Sequence, residues 1–513
     1  MRKQWISCCL LLTLLVNSTQ AQTRQQYQAP YFADSNRLQK LQSVFPAVEA
    51  SYRRYATQQH MPGYAFGIMV DGQLVYTGTG GYTDIASQTP VSSKSMFRIA
   101  SMSKSFTAAA ILHLRDAGKL QLDDPVTRYI PELKGQQLTK DAAVITIRDL
   151  MSHNAGFPED NPWGDRQLAD TEADLLALIK KGLHFSNTPG EQYEYSNLGF
   201  AMLGYIIHKV SGKPYSVYIR ENIWQPLGMK DAAWEYTTVP KEQLAHGYRW
   251  INNNWREETL LHDGIYGAMG GMISSLESFS RYMAMHMNAW PAGNANLAGP
   301  IQKSSLRDMH QPHRFIGLNA QSRATDGSAC PTASAYGYGL RWTKDCQGRI
   351  MVGHSGGLPG FGSNWTFLPE YGIGVIFLAN VTYAPTAGFN SRILDTLIRS
   401  AALKPRILPA SSILTNTQKQ LLTLLPHWHE AKTSGLFADN FFDDYSLESL
   451  QQEAGSLFTQ IGPILQYGPM VAENQLRGYC IIEGTNGKLK LSFTLTPENP
   501  AKIQEYHLEK SNL

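Results

Sequence analysis

Two apolar, β-prone runs, Tyr64-Ala-Phe-Gly-Ile-Met-Val70 and Gln73-Leu-Val-Tyr-Thr77, flank Asp71-Gly72. Such runs on either side of an Asp-Gly pair predict a β-hairpin. Ahead of it, apolar residues from Ser35 to Gln58 recur with helical period, which puts Leu38, Leu41, Val44 and Val48 on one face. Behind it, Ser101 to Ala117 predicts a helix closed by Gly118. From Gly118 to about Ser280 helix and loop patterns alternate, with little strand. Strand signals return at Tyr336-Gly-Tyr-Gly-Leu-Arg-Trp342 and run through Asn380, and a helix is expected from about Asn390 to Leu403. Hairpin, helical insertion, further hairpins and closing helix predict an α+β fold. It has an antiparallel sheet flanked by helices, with a helical lobe beside it.

A chain of 513 residues is too long for one ordinary core. The expected division is a main domain over 22–403, a linker over 404–415 and a small α+β accessory domain over 416–513. The linker reading rests on Lys404-Pro-Arg-Ile-Leu-Pro409. In the last domain a helix is expected over Ser446 to Phe458, with strands near Gly468–Val471, Leu476–Ile482, Leu489–Leu495 and Ile503–Leu508. Residues 1–21 read as a secretory signal: Arg2 and Lys3, an apolar run from Trp5 to Val16, and small residues ending at Ala21. An uncleaved anchor is the weaker alternative, and no later segment is long and apolar enough to span a bilayer. The protein is therefore expected to be secreted or periplasmic. With 45 basic against 42 acidic residues it is near neutral, so nothing points to nucleic acid as a partner. In an oxidising compartment Cys330 and Cys346 can pair across the turn Lys344–Gly348, while Cys480 reads as a buried strand thiol.

Several stretches can carry chemistry. Gly353-His-Ser-Gly-Gly357 fits G-x-S-x-G, the nucleophile elbow of α/β-hydrolases, but that elbow needs a helix immediately after the serine. Gly356, Gly357, Pro359, Gly360 and Gly362 oppose a helix, and the following residues read as a β-hairpin. Ser355 is thus expected on a strand, and another serine must be the nucleophile. Ser101-Met-Ser-Lys104 is the only Ser-x-x-Lys in the chain. Residues i and i+3 of a helix share a face, so the lysine amine can reach the serine hydroxyl. A lysine shielded from water loses affinity for its proton and can act as a base. Tyr195-Ser-Asn197 is the only Tyr-x-Asn, a phenol and an amide at a loop entering a helix. His153 is expected to make a structural hydrogen bond. His262-Asp263 and the pair His427 and His429 lack a third ligand at metal spacing, so no metal or cofactor is expected.

Ser-x-x-Lys, Tyr-x-Asn and His354-Ser355-Gly356, in that order, resemble the penicillin-recognising serine hydrolases, in particular their class C β-lactamase and D,D-peptidase branch. The likeness extends from about Tyr52 to Leu403, through Leu150-Met-Ser-His-Asn-Ala-Gly-Phe-Pro158, Gln225-Pro-Leu-Gly-Met229 and Gly267-Ala-Met-Gly-Gly-Met-Ile-Ser274. It implies Ser101 as nucleophile and Lys104 with Tyr195 as the general base system. Tyr195 would also protonate the leaving group and activate the deacylating water. The substrate-binding residues implied are Asn197, which positions the substrate amide, and His354, Ser355 and Gly356 along the pocket wall. Backbone N–H groups of Ser101 and Gly357 would form the oxyanion hole. His354 stands where most β-lactamases carry lysine and holds a carboxylate less firmly as pH rises. In family terms, His-x-Gly resembles peptidases acting on D-amino-acid-containing peptides, and related esterases. The expected function is an exported serine hydrolase acting as a peptidase or carboxypeptidase on such short peptides, including peptidoglycan fragments. An esterase or weak β-lactamase on the same machinery is the first alternative, and a non-catalytic penicillin- or peptidoglycan-binding protein the second. Leu436-Phe-Ala-Asp-Asn-Phe-Phe442 and Phe493-Thr-Leu-Thr-Pro-Glu-Asn-Pro500 resemble a small accessory domain found after some bacterial serine hydrolases.

Overall fold

A computed structural model describes residues 27–293 and 299–511, and the expected signal segment lies outside them. The chain forms two compact units, one spanning Pro30–Ile407 and one holding the residues from Leu408 on. The first is built on a nine-stranded antiparallel sheet. Its strands are β1 Gly63–Val70, β2 Gln73–Asp84, β3 Thr89–Pro90, β4 Arg314–Asn319, β5 Thr332–Tyr336, β6 Arg341–Lys344, β7 Ile350–Leu358, β8 Phe361–Leu368 and β9 Ile373–Ala379. They lie in the order β3-β2-β1-β9-β8-β7-β6-β5-β4.

Both faces of this sheet are covered, which is why β1, β8 and β9 are buried along their whole length. On one face Phe66, Ile68, Val375 and Phe377 meet Tyr52 of the Phe45–Gln58 helix and Phe389 of the Thr386–Ser400 helix. On the other, Ala65, Met69, Trp365 and Ile376 join a larger core shared with the Ser103–Asp116 helix and the helical lobe. Asp71 and Gly72 both have positive φ, 50° and 76°, as a two-residue hairpin turn requires.

Some expectations need correction. The first helical stretch is two helices, Arg37–Gln42 and Phe45–Gln58, and Leu38 is exposed while Leu41, Val44 and Val48 are buried. Tyr336 to Trp342 is not one strand: residues 337–340 turn between β5 and β6. Gly339, at φ +67°, lets that turn approach to where a Cβ would lie 2.8 Å from the Lys104 carbonyl oxygen. A ribbon formed by Gly247–Ile251 and Asn254–Glu258 was not foreseen, although Asn252 and Asn253, both at positive φ, are its turn signal. Cys330 and Cys346 form a disulfide, Cα to Cα 5.0 Å, at the open end of the β5–β6 hairpin.

The second unit has its own core, including Leu414, Trp428, Phe441, Leu491 and Phe493. Its Ser412–Leu424 helix begins inside the stretch expected as linker. The Leu447–Ile461 helix and strands Arg477–Gly484, Gly487–Leu495 and Ile503–Lys510 match the expected pattern. The strand expected near Gly468–Val471 is instead two, Ile464–Tyr467 and Val471–Ala472. Cys480 is a free, buried thiol.

Candidate active site

Ser101 lies in a 3-10 turn, Ala100–Met102, just ahead of the Ser103–Asp116 helix rather than within it. Ala100 has φ 51°, a left-handed backbone that costs an L residue energy and must be held by its surroundings. What holds it is β7. At Gly356 a Cβ would come 2.2 Å from the Ile99 carbonyl oxygen and 2.9 Å from the Ala100 Cβ, so only glycine admits the turn there. Ser363 on β8 donates its hydroxyl to the same Ile99 carbonyl at 2.7 Å.

Lys104, in the first turn of the helix, is fully buried. Its Nζ lies 3.0 Å from Ser101 Oγ, 2.7 Å from Asn197 Oδ1 and 2.9 Å from the Met269 carbonyl. An ammonium has three protons, and three acceptors await them. Burial nevertheless dominates and brings its pKa down to about 7, with Asp165 and Asp160 opposing the fall and Arg341 assisting it.

Tyr195 and Asn197 come from the lobe. Asn197 opens the Asn197–Ser211 helix, whose N-terminus is capped by Ser196 Oγ and by the Asp160 carboxylate. Asp160 accepts from the N–H groups of Asn197 and Leu198 at 2.7 and 2.8 Å. The Tyr195 ring centroid is 4.8 Å from Lys104 Nζ. Burial pushes the Tyr195 phenol up, against a weaker opposing effect of its hydrogen bond with Ser101, so at rest it keeps its proton. His153 packs its ring 4.3 Å from that of Tyr195 and accepts at Nδ1 from the Ser196 N–H at 3.0 Å, the structural hydrogen bond expected of it.

β6 pairs with β7 only from Ile350 to Gly353. From His354 to Leu358, β7 pairs with β8 alone. This released stretch borders a cleft of about 550 Å³ lined by Ser101, Tyr195, His354, Ser355, Gly356 and Gly357. Ser355 is on a strand, as expected. Two of the substrate-binding expectations change. The amide of Asn197 serves the site's own framework: its Oδ1 accepts a hydrogen bond from Lys104, one Nδ2 hydrogen goes to Asn161 Oδ1 at 2.6 Å, and the residue does not itself line the cleft. Asn161 lines the cleft in its place. His354 is engaged too, with Nδ1 donating to the Ser355 carbonyl at 2.5 Å and Nε2 accepting from the Tyr336 hydroxyl at 2.8 Å. Burial, then the Arg341 and Lys104 charges, push its pKa well down. A neutral ring with both nitrogens engaged offers nothing to a carboxylate.

A cation that lines the cleft at that end is Arg341, which the sequence motifs did not single out. It opens β6 opposite Gly353, where the β7 edge is released, and its guanidinium sits 5.8 Å from the Tyr195 ring centroid. Among the described residues no three His, Cys, Asp or Glu side chains are grouped to hold a metal ion. His262 pairs with Glu235 at 3.1 Å, and the His427 and His429 rings stack 5.6 Å apart.

A profile of the beta-lactamase family matches residues 48–398. The chain belongs to the beta-lactamase family. It is similar to protein flp of Staphylococcus aureus strain MW2, 29% identical over 341 residues, which cover 64% of this chain and 61% of that protein. The match thus spans less than two thirds of that relative. The fold is shared with the penicillin-binding protein homologue of Pyrococcus abyssi, described as octameric, at TM-score 0.55 and 21% identity over 93% of this chain and 98% of that one. It is also shared with a penicillin-binding protein from Bacillus halodurans, at TM-score 0.53 and 22% identity over 68% and 98%. The beta-lactamase-family site gathers all of the expected residues, Ser101, Lys104, Tyr195, Asn197 and His354 to Gly357, at one place. It adds residues of the loop Glu159-Asp-Asn-Pro-Trp-Gly-Asp165. Three carboxylates, Glu159, Asp160 and Asp165, set around a proline and a glycine just past the His153 motif, were the signal available for it.

Proposed function

We propose that this protein is an exported serine hydrolase that forms an acyl-enzyme at Ser101 and cleaves short peptides containing D-amino acids next to a free C-terminal carboxylate. The observation that carries the reading is the fully buried Lys104 amine, 3.0 Å from Ser101 Oγ and titrating at about 7. With its proton lost, the amine accepts the Ser101 hydroxyl proton as Oγ attacks the scissile carbonyl carbon. The oxyanion forms between the N–H groups of Ser101 and Gly357, both at the cleft. The proton passes from Lys104 through the Tyr195 phenol to the leaving nitrogen, and the C–N bond breaks. Water then attacks the ester, giving its proton back along the same path, and Ser101 is released. Arg341 takes the carboxylate of the leaving residue, the part first assigned to His354. The preference for D-residues rests on the family likeness of the His-x-Gly motif.

The test is turnover of a panel: D-Ala-D-Ala peptides, D-aminoacyl amides, short-chain esters and cephalosporins. D-peptides should be the best substrates, and Ser101→Ala should abolish both turnover and labelling by a fluorophosphonate. Esters or cephalosporins turned over faster than every peptide would replace the peptidase reading. Loss of labelling in Ser355→Ala but not in Ser101→Ala would restore the elbow.

A further inference from the structure

Asp165 lines the cleft, is only 1% exposed, and leaves its Oδ1 without a hydrogen-bond partner. Its Oδ2 accepts from the Tyr383 hydroxyl at 2.9 Å. A buried carboxylate oxygen with no donor is costly and rare. The nearby cations are committed or temporary. Arg166 reaches Glu258 at 3.4 Å, and Lys104 spends its three donors elsewhere and must lose its charge to act as a base.

The location of this oxygen gives it meaning. Tyr383 leans over the far end of the released β7 edge, where a Cβ on Gly357 would lie 2.8 Å from its ring. Arg341 stands at the near end, opposite Gly353. Four residue steps along the strand, from Gly353 to Gly357, separate the two ends, roughly 13 Å at the usual rise of a strand. A peptide laid along this edge, with its scissile carbonyl between Ser101 and Gly357 and its carboxylate at Arg341, directs its acyl portion toward Asp165. Glu159 also lines the cleft, and its charge acts on Arg341, which leaves Asp165 as the carboxyl of the other end, its pKa raised by burial against the Tyr383 hydrogen bond and the Lys104 charge.

We infer that Asp165, steadied by Tyr383, is the subsite for an ammonium on the acyl side of the scissile bond, so that the enzyme favours short peptides with a free amino group there. This rests on the proposed peptidase reading and narrows its substrate class to zwitterionic peptides. The ammonium supplies the donor that Oδ1 lacks, and its arrival compensates the charge that Lys104 gives up.

Binding decides the matter without turnover. Isothermal titration of the full-length Ser101→Ala protein compares D-alaninamide with N-acetyl-D-alaninamide, which lacks the ammonium. The free amine should bind about tenfold or more tightly, as expected for a charge-assisted hydrogen bond gained in a buried site. Adding Asp165→Asn should erase that preference while the acetylated ligand still binds. Equal binding by Ser101→Ala alone overturns the subsite, even if the double variant fails to fold. So does a loss of both ligands to the same extent in a folded double variant, which would mark Asp165 as structural. A wild-type enzyme that prefers the free amine but turns over none of the D-peptides keeps the subsite and removes the peptidase reading.

Discussion

Lys104 can serve as a base because burial takes its amine from an ordinary lysine range to about 7, while three acceptors hold it in place. The sign of the resulting pH dependence is fixed. Below 7 the amine keeps its proton and cannot accept that of Ser101, so kcat/KM should fall about tenfold per unit there and level off above. Stopped-flow acylation at constant ionic strength measures this, and a limb set near 4 instead would assign the base to a carboxyl. Tyr195→Phe keeps the ring beside Lys104 but removes the relay, and acylation should slow about a hundredfold or more. Arg341→Gln should raise KM for a free-carboxylate D-peptide about tenfold to a hundredfold, yet leave its C-terminal amide almost unchanged. Equal losses for both would mean that Arg341 supports Tyr195 rather than the carboxylate.

The elements matter because two contacts hold the catalytic pieces in register. One is the seat of the Ala100–Met102 turn on β7. Gly356→Ala places a methyl 2.2 Å from a backbone carbonyl that cannot yield like a flexible side chain, and should cost about 1–3 kcal/mol in stability along with most Ser101 labelling. Thermal unfolding and labelling rates read the two effects separately. The other contact is the Asp160 cap on the Asn197–Ser211 helix. Much of this was legible in sequence: the Asp-Gly hairpin, the two covered sheet faces and the strand context of Ser355 follow from local patterns. Where periodicity and turn chemistry conflicted, the reading failed. Tyr336 to Trp342 carried strand residues, but Gly337 and Gly339 made it a turn, and that turn delivers Arg341 to the cleft. The spacing of Tyr195 and Asn197 identified the right residues but could not tell which atoms were free. Asn197 bonds to Lys104 and Asn161, a fact of three-dimensional packing that no motif records.

At the scale of the molecule, the disulfide and the two units belong to different questions. Cys330 and Cys346 are 16 residues apart, so Cys330→Ser should cost up to about 3 kcal/mol by freeing the unfolded chain, with labelling of the folded enzyme retained. The units differ in their chemistry. Ser101, Lys104, Tyr195, Asn197, Arg341 and His354 all fall within Pro30–Ile407, and the unit from Leu408 on has a hydrophobic core of its own. A chain of its length with a separate core can fold as an independent domain. A protein ending at Ile407 should therefore remain folded and label at Ser101 at a rate within about threefold of the full chain, as independence of the two cores requires. Calorimetry of the full chain should resolve two transitions, of which the truncated protein keeps one. A single transition, lost together with labelling on truncation, would instead mean that the terminal unit completes the catalytic one.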